Sequence, residues 1–220
     1  MRTINYVRYI KLILVAWLFG GSVLITAVAS IVYRIPMDDL SIWEEHSFKG
    51  HTLYQVVEED GRHSIKAVSN AAASGLVKRL SVNLDQTPYL YWRWRVDDVL
   101  DAPNEHSKQG DDYPARIYVV KDGGWMPWRT RSINYVWSSS QEQGSVWPSA
   151  YTDQSMMVAV RSGTSDGAGW QMERRNLKED FQHLFGQDVN QVDLIALMTD
   201  TDNTGESAVA WYADLYFSSE

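Results

Sequence analysis

The segment from Tyr89 to Asp97 alternates so regularly that it constrains the fold more than any other part of the chain. Its large apolar residues occupy every second position, with polar or charged residues between them. One face would carry Leu90, Trp92, Trp94 and Val96, and the other would carry Tyr91, Arg93, Arg95 and Asp97. Successive side chains of a β-strand point to opposite faces, whereas a helix would distribute these residues around its axis. The pattern therefore predicts a strand that buries two tryptophans and presents two arginines on its opposite face.

Most of the remaining sequence also predicts β-structure. Predicted strands cover residues 51–58, 63–68, 76–84, 89–97, 115–121, 133–138, 156–161, 170–175, 194–199 and 209–217. The pair Asp60-Gly61 predicts a tight hairpin turn between the first two strands. One short helix is expected where Asn176 can cap its start, Glu179 completes a capping box and Gly186 ends it. About ten strands and one helix indicate an all-β fold, an antiparallel β-sandwich of jelly-roll type.

Residues 1–33 differ in composition from the rest of the chain. The first eleven hold three basic side chains and no acidic one, and the run of 22 residues from 12 to 33 has no charged side chain. Such a run is long enough to span a bilayer as one apolar helix. The basic residues before it place the following domain outside the cytoplasm. Ala27-Val28-Ala29 also fits a signal-peptidase site, so the segment is predicted to be a signal peptide or a membrane anchor.

The predicted organisation is therefore a signal or anchor at 1–33, a linker at 34–41 and a single β-sandwich at 42–220. We expect this domain on the periplasmic or extracellular side, either secreted or held at the membrane through residues 12–33. The membrane is a partner only if the segment is not cleaved.

The charge balance excludes some partners and some chemistry. Residues 34–220 keep 17 of the 20 basic residues and all 28 acidic ones, a net charge of −11. Such a surface repels phosphate backbones, which argues against nucleic acid as a partner. The chain has no cysteine, so disulfides, thiolate zinc sites and a cysteine nucleophile are excluded.

Polar residues on several predicted strands could form one ligand-binding face. They are Arg93, Arg95, Arg116, Tyr118, Glu173, Tyr212 and Asp214. Arginine forks bind planar acceptors, and tyrosine offers a flat ring with a hydroxyl, a combination that suits a sugar or an acidic ligand. The alternative is a ladder of cross-strand ion pairs on a solvated sheet.

The turn Asp200-x-Asp202-x-Thr204-Gly205 places alternating oxygen ligands before a glycine. This spacing resembles half of a calcium-binding loop, but the bidentate carboxylate that should follow is missing. A hydrogen-bonded turn is the favoured interpretation, with Ca²⁺ at Asp200 and Asp202 as the alternative and no other metal or cofactor predicted. We expect at least one of these carboxylates to bond Arg93, Arg95, Arg116 or turn amides, with Asp214 nearby.

Two further groups could carry chemistry. Trp125, Trp128 and Trp147 lie in loops rich in Gly and Pro, where they could stack on sugar rings or cover the ends of the core. The pair Asp111-Asp112 could form a glycosidase site with another carboxylate, namely Glu173, Asp200 or Asp214.

Several of these segments together resemble the bacterial domain-of-unknown-function family 3047 (DUF3047). They are Trp92-Arg93-Trp94-Arg95-Val96, Gly110-Asp111-Asp112, Ala115-Arg116-Ile117-Tyr118-Val119, Asn134-Tyr135-Val136-Trp137, the segment from Met198 to Gly205, and Trp211-Tyr212-Ala213-Asp214. The resemblance spans roughly residues 42–217. It implies an exported bacterial protein, mostly of Gram-negative origin, without an assigned activity and without catalytic residues to carry over.

The function expected from these observations is a non-catalytic binding module for carbohydrate or another cell-envelope component. One alternative is a glycan-active hydrolase that uses paired carboxylates. Another is a module that binds an envelope protein. The candidate ligand-binding residues are Arg93, Arg95, Asp111, Asp112, Arg116, Tyr118, Glu173, Asp200, Asp202, Tyr212 and Asp214.

Overall fold

A computed structural model describes residue 30 and residues 32–101, 104–163 and 169–220. Thirteen β-strands and one α-helix lie in this part of the chain. The strands are β1 (Val32–Arg34), β2 (Glu44–Lys49), β3 (Leu53–Glu59), β4 (Arg62–Asn70), β5 (Ala73–Asn83), β6 (Tyr89–Val96), β7 (Ala115–Lys121), β8 (Arg131–Ser138), β9 (Val146–Pro148), β10 (Ser155–Ser162), β11 (Gln171–Asn176), β12 (Gln191–Asp200) and β13 (Ser207–Ser218). The helix α1 covers Leu177–Phe185, and short 3-10 helices cover Leu40–Ile42, Lys108–Gly110 and Pro127–Arg129.

The strands form two sheets, which confirms the predicted β-sandwich. The six-stranded sheet has the order β11-β6-β13-β4-β3, with β1 paired to the end of β13. The seven-stranded sheet has the order β2-β5-β12-β7-β8-β10-β9. The jelly-roll topology stays a prediction.

One strand pair corrects the prediction of a purely antiparallel fold. Strands β8 and β10 are parallel, whereas the other described pairs are antiparallel. Parallel neighbours need a long connection, because the chain must return to the end where the first strand began. Residues 139–154 make that return, and they contribute β9 to the sheet edge beside β10.

The alternation of β6 is confirmed. Trp92 and Trp94 are 1% and 0% exposed, and the strand alternates between buried and half-buried residues along its length. Across the sandwich, Trp92 lies 5.3 Å from Tyr135 and Trp94 lies 5.8 Å from Trp137, measured between ring centroids. Aromatic side chains of both sheets therefore make up the centre of the core.

The predicted helix and hairpin are confirmed as well. The side chain of Asn176 accepts a hydrogen bond from the backbone N–H of Glu179, and Gly186 ends α1 in a left-handed conformation at φ 64°. Asp60 and Gly61 both have positive φ between β3 and β4, as a two-residue hairpin turn requires.

The amino-terminal boundary of the sandwich differs from the prediction. Val32 and Tyr33, predicted to end an apolar helix, lie in β1. Ile35 and Met37, predicted to lie in a linker, are buried in the core, because alternate apolar residues continue past Tyr33 and pack against β13. The rest of the predicted apolar helix falls outside the described residues. Within the described residues, no helix combines the length and the apolar character needed to cross a membrane.

We expect Trp94→Ala to lower the free energy of unfolding by about 3–5 kcal/mol, because it removes a fully buried indole and leaves a cavity. The indole N–H also donates to Glu173 at 3.1 Å, and that partner would be lost. Denaturant unfolding of the full chain measures the change. Trp125→Ala is the control, since Trp125 is 83% exposed and its removal should change stability by no more than about 0.5 kcal/mol. Equal stability of the two variants would contradict this account of the core.

Candidate functional site

The predicted polar face is divided between two opposite surfaces of the sandwich. Arg93 and Arg95 lie on β6, so they belong to the outer face of the six-stranded sheet, the face turned away from its partner sheet. Arg116 and Tyr118 lie on β7, on the outer face of the seven-stranded sheet. The prediction of one shared face is therefore wrong, because residue alternation does not reveal which sheet a strand joins.

Two of the predicted ligand-binding residues point into the sandwich. Glu173 accepts from the indole of Trp94 and pairs with Arg161 at 2.5 Å, and burial raises its pKa. Tyr212 is fully buried and donates to the carbonyl of Met198 at 2.6 Å. Neither side chain presents its polar group on an outer face.

Asp214 lies apart from the turn at Asp200 and Asp202, which contradicts the expected proximity. Its strand β13 belongs to the six-stranded sheet, whereas β12 belongs to the other. Asp214 has φ 49° at an irregularity where the register of β13 against β6 shifts. Its carboxylate lies 3.3 Å from Arg93 and 3.4 Å from Arg62. The irregularity breaks the alternation that had placed Tyr212 and Asp214 on one face.

A cleft of about 460 Å³ on the outer face of the seven-stranded sheet is lined by five of the other predicted residues: Asp111, Arg116, Tyr118, Asp200 and Asp202. Strands β7, β8, β10 and β12 form its floor. Loops around residues 111, 151 and 202 and the edge strand β2 form its walls. Its lining includes Phe48, Asp111, Arg116, Tyr118, Ser132, Asn134, Tyr151, Ser155, Met157, Met198, Asp200, Asp202 and Asn203.

Arg116 is the central charge of the cleft and is 3% exposed. One of its terminal nitrogens lies 3.0 Å from a carboxylate oxygen of Asp200 and 3.2 Å from one of Asp111. The other donates to the hydroxyl of Tyr118, and the guanidinium lies 4.5 Å from the ring centroid of Tyr113. These contacts fix the orientation of Arg116 and confirm that one carboxylate of the predicted turn bonds an arginine.

Burial dominates the electrostatics around Arg116. It raises the pKa of Asp200 well above its usual range, and Arg116 opposes that shift in part. The pKa of Asp111 is raised for the same reason, with the same opposing contribution. Burial also raises the pKa of Tyr118 to about 12, so this phenol remains a neutral hydrogen-bond donor at physiological pH.

Asp112 holds the turn after β12 in place. Its two oxygens accept from the backbone N–H groups of Asn203 and Thr204 and from the side-chain amide of Asn203, at 2.6 to 3.2 Å. Asp202 lies 3.8 Å from the ammonium of Lys49. Oxygens of Asp112, Asp200 and Asp202 lie within 4.8 Å of one another. Calcium at this turn stays a prediction. Both oxygens of Asp112 already accept hydrogen bonds from the turn.

Two buried acceptors of the cleft have no hydrogen-bond partner among the described residues. They are Oδ1 of Asp111 and Oδ1 of Asn134. The amide nitrogen of Asn134 donates to Ser155 at 2.6 Å, and the hydroxyl of Ser132 donates to the same oxygen at 2.7 Å. Buried polar groups nearly always have a partner, so each of these acceptors lacks a donor that the described chain does not supply.

Aromatic side chains stand at the entrance of the cleft. Tyr151 is 56% exposed and Phe48 is 68% exposed. Burial raises the pKa of Tyr151, and the charges of Asp111 and Asp202 raise it further. A shallow apolar groove lined by Phe48, Tyr118 and Met198 continues from the cleft along β12.

The sequence patterns did not indicate four further lining residues: Phe48, Asn134, Tyr151 and Met198. For Asn134 a signal was present, because it alternates with the core residues Ile133 and Tyr135 and so must face outward. Tyr151 and Phe48 lie in a loop and on an edge strand, where alternation carries no information about neighbours.

The three loop tryptophans do not form one group. Trp125 and Trp128 are exposed, whereas Trp147 is buried beneath the loops of the seven-stranded sheet. Trp147 lies in the edge strand β9 rather than in a loop, and it packs with Tyr113 and Met157 in a small cluster separate from the sandwich core.

A family model described as "Protein of unknown function (DUF3047)" matches residues 41–216. The chain belongs to this family, which confirms the resemblance found in its sequence. No curated protein sequence matches the chain.

Three solved structures illustrate what the fold is similar to. The family 30 carbohydrate-binding module of a cellulosomal cellulase of Clostridium thermocellum is 12% identical, with a TM-score of 0.49 over 86% of this chain and 98% of that one. The family 11 carbohydrate-binding module of a second cellulosomal cellulase of that organism is 11% identical, with a TM-score of 0.42 over 84% of this chain and 93% of that one. The third structure is the xyloglucanase domain of NopAA, a type three effector from Sinorhizobium fredii, in complex with cellobiose. It is 10% identical, with a TM-score of 0.43 over 80% of this chain and 92% of that one. Similarities at this level assign neither a ligand nor an activity to the chain.

Arg116→Met should lower the free energy of unfolding by about 3–5 kcal/mol at pH 7, because it leaves two buried carboxylates without their cation. Burial already raises the pKa of Asp111 and Asp200, and removal of Arg116 raises both further. An acid whose pKa is raised by folding loses stability as pH rises through that range, and regains it on acidification. The difference from wild type should therefore shrink as pH falls toward about 4. Unfolding curves at several pH values measure it.

The control for this substitution is Arg95→Met on the opposite face. Arg95 pairs with a half-exposed Glu59 at 3.2 Å and stacks on Trp211 at 4.0 Å. Loss of both contacts should change stability by about 2 kcal/mol or less, without the pH dependence expected for Arg116→Met. A difference between wild type and Arg116→Met that does not vary with pH would show that the buried carboxylates do not depend on Arg116.

Proposed function

We propose that this member of the DUF3047 family is a non-catalytic glycan-binding module whose ligand lies in the cleft of the seven-stranded sheet. The observation that carries the proposal is the pair of unpartnered acceptors, Asp111 Oδ1 and Asn134 Oδ1, in one cleft with exposed aromatic rings. A sugar offers hydroxyl donors for the acceptors and an apolar ring face for Tyr151 or Phe48.

The size and rigidity of the cleft support a small, hydroxyl-rich ligand. A volume of about 460 Å³ falls within the usual range of about 300–1,000 Å³ for ligand pockets. The polar groups of its floor lie on strands and are held by their neighbours, as Arg116 is by Asp111, Asp200 and Tyr118. Groups that are already oriented lose little conformational freedom when a ligand binds.

Pairing of the carboxylates supports binding rather than hydrolysis. A glycosidase needs one carboxyl as acid and another as base or nucleophile, both free to reach the glycosidic bond. Here Asp111 and Asp200 contact the same guanidinium, and Asp112 accepts from the turn amides. Of the other proposed partners, Glu173 is bonded inside the sandwich and Asp214 lies on the opposite sheet.

The acidic character of the cleft also supports the absence of nucleic acid as a partner.

Tyr151→Ala should weaken glycan binding at least about tenfold, which corresponds to about 1.4 kcal/mol. The substitution removes an exposed ring that a sugar can stack on, and exposure of Tyr151 means that the melting temperature should stay close to wild type. A glycan array probed with the full-length protein identifies the tightest oligosaccharide, and calorimetry with that oligosaccharide measures the affinity.

The control is Tyr91→Ala. Tyr91 stacks on Tyr216, and both lie on the six-stranded sheet, away from the cleft, so this substitution should leave glycan affinity unchanged. No reducing sugar should be released during incubation. Failure to bind any glycan on the array would refute the proposal, and so would a Tyr151→Ala variant with wild-type affinity.

We further propose that the chain is exported or membrane-anchored through its amino-terminal segment. The start of β1 at Val32 leaves 20 uncharged residues, 12–31, before the sandwich, close to the length needed to span a bilayer. Cleavage after Ala29 would also leave β1 complete. In fractionated cells that express the chain, we expect either full-length protein in the membrane pellet or a mature chain beginning at Ser30 in the periplasmic extract. Full-length protein in the cytoplasmic extract would contradict export.

A further inference from the structure

The cleft holds more negative than positive charge. Its carboxylates are those of Asp111, Asp200 and Asp202, with Asp112 directly behind the turn. The cations in contact with them are Arg116, which is buried, and Lys49, whose side chain is mostly exposed. A third cation, Lys108, lies over the ring of Tyr151 at 5.0 Å, so the four carboxylates exceed the cations by one. Interactions between charges are strongest where water is excluded, so the cleft favours a cationic group over a neutral or anionic one.

The unpartnered oxygen of Asp111 indicates where in the cleft a cationic group would bind. Asp111 is 6% exposed, and its Oδ2 is taken by Arg116 while Oδ1 has no partner within the described chain. Tyr151 lines the same cleft as Asp111. Its ring faces the ammonium of Lys108, 5.0 Å from the ring centroid, as aromatic faces attract cations. A positive donor at Oδ1 would offset the charge and supply the missing hydrogen bond in one contact.

An ammonium fits this position better than a divalent metal ion. Calcium needs six to eight oxygen ligands, yet both oxygens of Asp112 are occupied by amides of Asn203 and Thr204, and those of Asp200 accept from Arg116 and the backbone of Tyr113. An ammonium needs only three acceptors. The unpartnered oxygens of Asp111 and Asn134, two residues that line the cleft, are acceptors of the type it requires.

We propose that the glycan bound in the cleft is an amino sugar with a free ammonium group, which pairs with Asp111. This inference rests on the proposed function and specifies its ligand class. Acetylation of the amine removes the positive charge and two of the three donors while it leaves the sugar ring in place, so acetylated and free amines distinguish charge recognition from general sugar binding.

The experiment is calorimetry of the full-length protein with three ligands: a β-1,4-linked glucosamine oligomer, the N-acetylated oligomer of the same length, and pentalysine. The free-amine sugar should bind at least about tenfold more tightly than the acetylated one. Its affinity should fall as ionic strength rises, because salt screens the charge pair. Pentalysine carries ammonium groups without a sugar ring and should bind weakly.

Asp111→Asn should remove the preference, with free-amine affinity lowered about tenfold or more and acetylated affinity changed less than about threefold. Asp202→Asn provides a second test at a less buried carboxylate of the same cluster. Asp193→Asn is the matched control. Asp193 pairs with Lys121 at 2.8 Å, as Asp202 pairs with Lys49, but it lies outside the cleft. This substitution should leave both affinities unchanged.

The outcomes separate this inference from the proposed function. Equal affinity for free and acetylated oligomers would overturn the amino-sugar inference and leave glycan binding intact. Pentalysine binding as tightly as the glucosamine oligomer would overturn it too, since charge alone would then suffice. Calcium that binds the free protein and is lost in Asp111→Asn would place a metal where the ammonium is proposed. If neither these sugars nor any glycan on the array binds, the proposed function itself fails.

Discussion

The buried contact of Arg116 with Asp200 and Asp111 is the interaction on which the shape of the cleft depends. It connects β7 to the end of β12 and to the loop before β7. A buried charge is tolerated only when its partners are in place, so the loops on both sides must close around the guanidinium. Asp112 extends this arrangement by accepting from the next turn. Arg116, a side chain of the floor, thus fixes the positions of two walls of the cleft, the loops around residues 111 and 202.

The wall around residue 151 follows β9, whose Trp147 belongs to a second, smaller core outside the sandwich. Tyr113, Val136, Trp147, Met157 and Ala159 pack together on the outer face of the seven-stranded sheet. Nearby, Glu105 accepts from Ser138, Ser139 and Ser140 and joins the loop before β7 to the end of β8. The seven-stranded sheet therefore has apolar cover at one side and an open polar cleft beside it. The six-stranded sheet instead carries paired arginines, carboxylates and aromatic rings, so the two faces offer different chemistry.

Local patterns in the sequence predicted what depends on neighbours along the chain. The alternation of β6, the capped helix α1 and the hairpin at Asp60-Gly61 are all of this kind. Sheet membership is not, because it depends on contacts between distant strands, and so Arg93 and Arg116 were wrongly placed on one face. The irregularity at Asp214 and the edge strands β1, β2 and β9 were missed for the same reason, since each is stabilised by a distant partner. Of the candidate site, the sequence indicated the charged residues of the floor but not the aromatic residues of its entrance.

The central claim is that a glycan binds in the cleft of the seven-stranded sheet, and methionine methyl NMR tests it most directly. Met157 and Met198 line the cleft, whereas Met126 and Met172 lie on other surfaces. Titration of methyl-labelled full-length protein with the tightest oligosaccharide should shift the Met157 and Met198 signals and leave Met126 and Met172 unchanged. Shifts confined to Met126, beside the exposed tryptophans, or to Met172, on the opposite sheet, would contradict the claim.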